Sequence, residues 1–333
     1  MSGKFLLLLL VSVQVRLFAQ APHFKVLELS LPEEIRNPDN EFSGLYCTAQ
    51  QLLLLSESRP NEEAKLYAFN LSDLDHKIKD SSFLLPYLKY PIQNLEPLKH
   101  RMHDQGMEYE GLEAILADRN TVWLSVETST ASAYACLLKG TLGKTSLLLD
   151  TQFLTAIRKP VRGDNEQIYN AGFESLALKD KDIITLFEFN GFSRGNNAAV
   201  FDKKPGKQIN SIRLADAIPF RLTDISAGGH NHYTGINYFY KGAGRDAIYR
   251  PAADDTFNNR LVKTSSGYQN YCRLIDLEIK GDVIRWQSLW EFPEQYLGYN
   301  WEGIALYKKG YFIINDRYTP AKPYHTKLIY LAE

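Results

Sequence analysis

Apolar residues fall into short stretches along this chain, bounded by polar turns, and the stretches recur in pairs. Five segments open alike, with an acid or Ser, a small residue in most copies, and then an apolar stretch. They are Ser43-Gly44-Leu45, Glu110-Gly111-Leu112, Glu174-Ser175-Leu176, Asp224-Ile225-Ser226 and Glu302-Gly303-Ile304. After a polar turn each is followed by a second apolar stretch reaching a polar or acidic residue, at Glu57, Glu127, Glu188, Asn237 and Asp316. The separations are 14, 17, 14, 13 and 14 residues, and the longer turn Ala117–Asn120 accounts for the 17. A near-constant separation across a turn predicts antiparallel hairpins. Third apolar stretches begin at Lys65, Ala133, Ala198 and Lys327, and the fourth unit offers Asp246–Tyr249 or Tyr271–Leu277.

The opening markers lie 67, 64, 50 and 78 residues apart. Units of that length with three or four strands predict an all-β chain of the β-propeller type, a ring without free edges. Five blades are expected, and the 78-residue interval leaves room for a degenerate sixth. The stretch His23–Leu31 has no unit of its own. It is expected to close the last blade, paired beside Lys327–Leu331.

Composition agrees with that pattern. The 333 residues include 20 Tyr, 17 Phe and 4 Trp, which favour strands, with 21 Gly and 14 Pro to supply turns. Lys and Arg number 38 against 39 Asp and Glu, which lacks the basic excess of a nucleic-acid binder. At the N-terminus Lys4 precedes the apolar run Phe5–Val11, and Ala19 and Ala21 follow. Residues 1–21 therefore read as a secretory signal peptide and 22–333 as one propeller domain, secreted or periplasmic, monomeric and without a membrane span. Cys47, Cys136 and Cys272 are far apart, odd in number and set among apolar neighbours, so they read as buried hydrophobes.

The openings Phe42–Leu45 (FSGL), Tyr109–Ile115 (YEGLEAI), Phe173–Ala177 (FESLA) and Asn300–Leu306 (NWEGIAL) resemble those of the phytase-like, esterase-like β-propeller family of exported bacterial proteins. The resemblance spans nearly the whole chain after the leader. It implies phytase-like or esterase-like hydrolysis. It also shades into the calcium-dependent, gluconolactonase-like lactonases, which set a Glu-Gly dipeptide near a central divalent metal.

In a propeller the first strand of each blade lines the central channel, so the paired markers should ring one mouth of it. Eight of the ten are carboxylates. Like charges that close raise one another's pKa unless cations intervene, and a hard cation such as Ca²⁺ takes oxygen ligands. Glu110, Glu174, Asp224 and Glu302 are the candidate metal ligands. Glu127, Glu188 and Asp316 are the candidate catalytic groups, as general base or further ligands. Arg59, Arg101 and Arg317 are the candidate contacts to an anionic small-molecule substrate, because guanidinium forks suit phosphate and carboxylate. Acids that merely accept backbone N–H groups between blades are the bland reading of the same ring.

The expected activity is hydrolysis of a phosphoester or ester, with a calcium-dependent lactonase as a variant. A non-catalytic scaffold binding a sugar, peptide or partner protein is the alternative. The chain has no phosphate-binding Gly-rich loop with Lys-Ser/Thr and no His-Glu-x-x-His. His230-Asn231-His232 reads as a polar turn at the end opposite the mouth.

Overall fold

The computed structural model describes residues 22–163, 166–192, 195–204, 206–316 and 325–333. The expected leader, 1–21, and Arg317 lie outside the described residues. Within them the chain is mostly β, in sheets of eight, nine and four strands with a small two-stranded ribbon. Each large sheet contains one short parallel pairing, Ile92–Gln93 with Leu147–Leu148 and Arg213–Leu214 with Val283–Ile284. On either side of that pairing the strands form antiparallel meanders.

The eight-stranded sheet holds two such meanders. One runs Phe42–Cys47, Gln51–Ser56, Lys65–Asn70 and Leu88–Gln93, the other Tyr109–Asp118, Thr121–Thr128, Tyr134–Leu142 and Leu147–Arg158. In the nine-stranded sheet Ala177–Lys179, Asp182–Thr185, Asn197–Asp202 and Gln208–Leu214 form one meander. Ile218–Gly229, His232–Phe239, Tyr271–Lys280 and Val283–Glu291 form the next, with the two-residue strand Phe189–Asn190 beside its first strand. The four-stranded sheet combines Trp301–Tyr307, Gly310–Asn315 and Leu328–Ala332 with the N-terminal strand Lys25–Leu29. That last pairing runs from Lys25 opposite Ala332 to Leu29 opposite Leu328, where the orphan stretch was expected.

The first strand of each meander meets its counterparts in neighbouring meanders. Phe42–Cys47 packs on Tyr109–Asp118 and on Trp301–Tyr307, and Ile218–Gly229 packs on Trp301–Tyr307 and Ala177–Lys179. Apolar clusters fill the spaces between meanders. Phe42, Leu54, Tyr67 and Phe69 share one cluster with Phe312, Leu328 and Tyr330, so the end of the chain packs on its beginning. Phe173 and Phe187 pack with Trp123, Leu137 and Phe153 in another, linking the two large sheets.

The fourth unit takes Tyr271–Lys280 as its third strand, while Gly244–Tyr249 is a 3-10 helix. Residues His230 and Asn231 occupy left-handed conformations, φ 51° and 65°, between the paired residues Gly229 and His232. That is the two-residue turn that matches strand twist. The α-helices were not anticipated, and the two longest among the described residues are Leu71–Lys79 and Leu95–Asp104. The second buries Leu95, Leu98 and Met102, a three-then-four spacing that marks one helical face. All three cysteines are free, with Cys136 and Cys272 buried and Cys47 half-buried.

The fully buried Phe312 stacks on Tyr307 across the sheet that receives the N-terminal strand. Phe312→Ala should destabilise the protein by about 3–5 kcal/mol through the cavity it leaves. Leu84, 89% exposed, serves as the control, since Leu84→Ala should change stability by less than about 0.5 kcal/mol. Urea melts of both variants check this, and equal effects would contradict the packing.

Candidate functional site

Backbone pairing repeats at the opening of four inner strands. The register slips by one residue between Phe42 and Gly44, Tyr109 and Gly111, Leu222 and Asp224, and Trp301 and Gly303. The residues left out of register are Ser43, Glu110, Thr223 and Glu302. A bulge re-aims its extra side chain and bends its strand. In the fourth unit the bulged residue is thus Thr223, one position before the expected marker Asp224.

That one-residue difference separates two kinds of polar group. The Ser43 hydroxyl donates to the Leu112 carbonyl at 2.5 Å, and the Thr223 hydroxyl donates to the Trp301 carbonyl at 2.7 Å. Asp224 accepts the Ile225 N–H at 2.7 Å and the Ile304 N–H at 2.8 Å. Burial pushes its carboxyl well above the usual range, and the Ile304, Ile225 and Leu45 N–H groups pull the other way. Asp224 therefore ties neighbouring inner strands together, and no other acid figures among the charges acting on it.

The other acids face one another across a common space. A Cβ on Gly111 would stand 2.7 Å from Glu57 Cγ and 3.0 Å from Glu113 Oε1. One on Gly172 would meet Glu127 Cβ at 3.5 Å and Glu113 Cγ at 3.8 Å. Glycine in the Glu-Gly opening is what lets these side chains pass over the strand. Burial raises Glu113 well above the carboxylate range, followed by repulsion from Glu127, Glu57, Glu302 and Asp316. Burial likewise raises Glu174, with Glu188, Glu302, Glu113 and Glu127 adding to it. Glu302 rises for the same reason, helped first by Asp316 and then Glu188 and opposed by Arg221. Glu127 is pushed up to about 8, by burial, then by Glu188, Glu110 and Glu57, against Lys159. Glu57 reaches about 7, raised by burial and Glu41 and lowered by Arg59. Glu127 Oε1 is buried without a hydrogen-bond partner.

Of the acids singled out in the sequence, Glu110, Glu127, Glu174, Glu188, Glu302 and Asp316 thus act on one shared cluster, whereas Asp224 stands apart. The bases sit differently from the expected rim. Arg221 is gripped by Glu188, reaches Asp246 at 2.7 Å and stacks over Tyr249 at 4.1 Å. Tyr249 donates to the other oxygen of Glu188 at 2.7 Å. Lys159 donates to the Thr128 carbonyl at 3.1 Å and the Ser129 carbonyl at 2.8 Å. Arg59 pairs with Glu41 at 2.7 Å and with Glu57 at 3.2 Å. Arg101 lies on the helix Leu95–Asp104, where its guanidinium donates to the Thr151 carbonyl.

Glu113, Glu41 and Tyr249 escaped the reading of the sequence. Glu113 shares a strand face with Gly111 by the two-residue period, so its inward aim was available from the Glu-Gly-Leu-Glu run. Glu41 reaches Arg59 from a left-handed backbone, φ 45°, which no residue pattern announces. The ring's donors are hard oxygens in excess over cations, as Ca²⁺ requires. Yet among the described residues no three His, Cys, Asp or Glu side chains are grouped as ligands of one ion.

No family model and no curated protein matches the chain. Solved structures do, all at low identity. A glucose dehydrogenase-like oxidoreductase of Thermus thermophilus superposes with a TM-score of 0.50 at 9% identity, over 93% of this chain and 100% of that one. The Malassezia sympodialis allergen Mala s 1 gives 0.47 at 11%, over 87% and 78%. A GH43_1 enzyme from Xanthomonas citri gives 0.46 at 7%, over 92% and 90%. The fold is mostly β and resembles β-propellers, and likeness at this identity concerns the fold alone.

The raised carboxyls set the sign of a pH effect. The folded state holds Glu127's proton up to about 8, whereas the ordinary value is 4.5. Between those values the folded protein binds more protons than the unfolded chain, so stability falls as pH rises. The melting temperature should drop from pH 5 to pH 8, and Glu127→Gln should flatten that slope. A wild-type melt that is level or rises over this range would contradict the buried cluster.

Proposed function

We propose that this chain is an exported, five-bladed β-propeller of the phytase-like, esterase-like kind that hydrolyses an uncharged ester bond, a carboxyl ester or lactone, with the carboxyl groups of its central cluster. Each antiparallel meander is a blade in this reading, and the N-terminal strand completes the fifth. The observation that carries the hydrolase assignment is the group of buried and half-buried carboxyls, Glu57, Glu113, Glu127, Glu174 and Glu302, held in mutual range with raised pKa values.

Glu127, protonated near neutrality and with an oxygen lacking any partner, is the acid that protonates the leaving oxygen. Glu57, titrating near neutrality, is the base that takes a proton from the attacking water. Glu188, occupied by Arg221 and Tyr249, positions the cluster and compensates its charge. An acidic cluster repels a phosphoester, and the cations beside it are already engaged by Glu188, Asp246, Glu41, Glu57 and backbone carbonyls. That favours a neutral scissile bond over a phosphorylated one. Ca²⁺ belongs to this reading only as a counter-ion attracted when the acids ionise, and no step is assigned to it. The non-catalytic scaffold keeps one supporting observation, the use of Ser43, Thr223 and Asp224 as ties between inner strands.

The test is a panel of 4-nitrophenyl butyrate, δ-valerolactone and 4-nitrophenyl phosphate, each assayed with CaCl₂ and with EDTA. Ester or lactone turnover that survives EDTA is expected, with kcat/KM rising through about pH 7 and falling through about pH 8. Glu127→Gln should lower kcat by about 10²–10⁴-fold while the fold is retained. Phosphoester turnover abolished by EDTA would overturn the metal-free reading, and no turnover of any substrate would leave the scaffold.

A further inference from the structure

One cavity lined by none of the cluster acids has the 3-10 helix Gly244–Tyr249 in its wall. It measures about 470 Å³ and is lined by Thr130, Ile168, Tyr169, Gly244, Arg245 and Ile248, among others. Its walls come from the segment after the strand Thr121–Thr128, the connection after Leu147–Arg158, and the 3-10 helix Gly244–Tyr249. Tyr169 is 48% exposed, and the Arg245 guanidinium stacks on its ring at 4.2 Å. Arg162, at the cavity edge, pairs with Glu166 at 3.2 Å. No acidic side chain partners Arg245 among the described residues. The cavity therefore combines an open aromatic face, two isoleucines, one carboxylate, Glu166, that is paired with Arg162, and a second cation, Arg245.

The helix Gly244–Tyr249 links this cavity to the cluster. A 3-10 helix turns once in three residues, so residues three apart share an edge. Arg245 and Ile248 form the edge that lines the cavity. Asp246 and Tyr249 form the adjoining edge, which grips Arg221 and Glu188 at 2.7 Å each. One turn of backbone thus holds a recognition surface and a catalytic neighbour in fixed relation.

We infer that this cavity is the anchoring subsite of the substrate, and that it takes a ring bearing a carboxylate or phosphate remote from the bond to be cleaved. The ring packs on Tyr169 and Ile248, and the anion accepts hydrogen bonds from Arg245. This assignment rests on the hydrolase reading and sharpens it. An anion at Arg245 stays outside the acidic cluster, and only the neutral ester end of the molecule reaches Glu127 and Glu57.

Two substrates separate the parts of this inference. 4-Acetoxybenzoate carries a carboxylate opposite its ester, and phenyl acetate lacks it. For the wild-type protein KM should be about tenfold lower for 4-acetoxybenzoate, as one charge-assisted contact provides. Arg245→Ala should erase that difference while leaving kcat and the phenyl acetate KM within about twofold. Arg245→Lys should restore part of it, and Tyr169→Ala should raise KM for both. Equal KM values in the wild-type protein, or a preference that survives Arg245→Ala, would overturn the subsite. If neither ester is turned over, the hydrolase reading fails, and the cavity is then judged by binding of benzoate and of phenyl phosphate in titration calorimetry. Binding of either that is lost in Arg245→Ala sustains an anionic-ring site on a non-catalytic protein, and binding of neither overturns it.

Discussion

Everything at the axis depends on one set of backbone hydrogen bonds, those between Lys25–Leu29 and Leu328–Ala332. Without them the last meander would end on an unpaired edge, and the first and last parts of the chain would be joined by side-chain packing and a few scattered hydrogen bonds such as Thr326 N–H to the Arg36 carbonyl. With them, the sheet that begins at Trp301 is complete and presses its inner strand on both Phe42–Cys47 and Ile218–Gly229. Glu188, Glu127 and Glu113 are 1%, 6% and 9% exposed, and burial heads the causes raising Glu113 and Glu127. Burial among the inner strands is therefore the physical origin of the raised carboxyls.

The hairpin repeat was legible because it has two independent signatures, period-two apolar stretches and a constant separation between polar ends. The orphan N-terminal stretch was legible by elimination, since every other apolar stretch had a partner nearby in sequence. The helices Leu71–Lys79 and Leu95–Asp104 were not, because they lie in connections where the strand repeat directs attention elsewhere. Their amphipathic spacing becomes visible only when those segments are read alone.

The site was legible in outline and blurred in register. Ser43, Glu110 and Glu302 are bulged residues, and the repeat identified all three from sequence. Asp224 was matched to them by charge, yet pairing puts Thr223 in that place, and a shift of one residue sends a side chain to another environment. Arg101 was read as a contact to an anionic substrate, but the helix it occupies turns its guanidinium to the Thr151 carbonyl. Arg221 was not among the candidate cations. Only the fold brings Glu188, Asp246 and Tyr249, from three separate segments, around it.

A cluster of this kind is costly to keep. Carboxyls that are buried and face one another disfavour their own ionised forms, so the folded state gives up stability as pH rises toward neutrality. Arg221 limits that loss by joining two acids and an aromatic ring at one point, and Arg59 does so for Glu41 and Glu57. Neither cation neutralises Glu127, whose buried Oε1 has no partner. If the acids served only to tie strands together, each would be expected to accept backbone N–H groups as Asp224 does. Asp224, satisfied by the main chain, and Glu127, left with an unpartnered oxygen near Gly172, are thus differently placed acids within one group of residues. That contrast is physical rather than statistical, and it sets the Glu57, Glu113 and Glu127 group apart from the main-chain-tied Asp224.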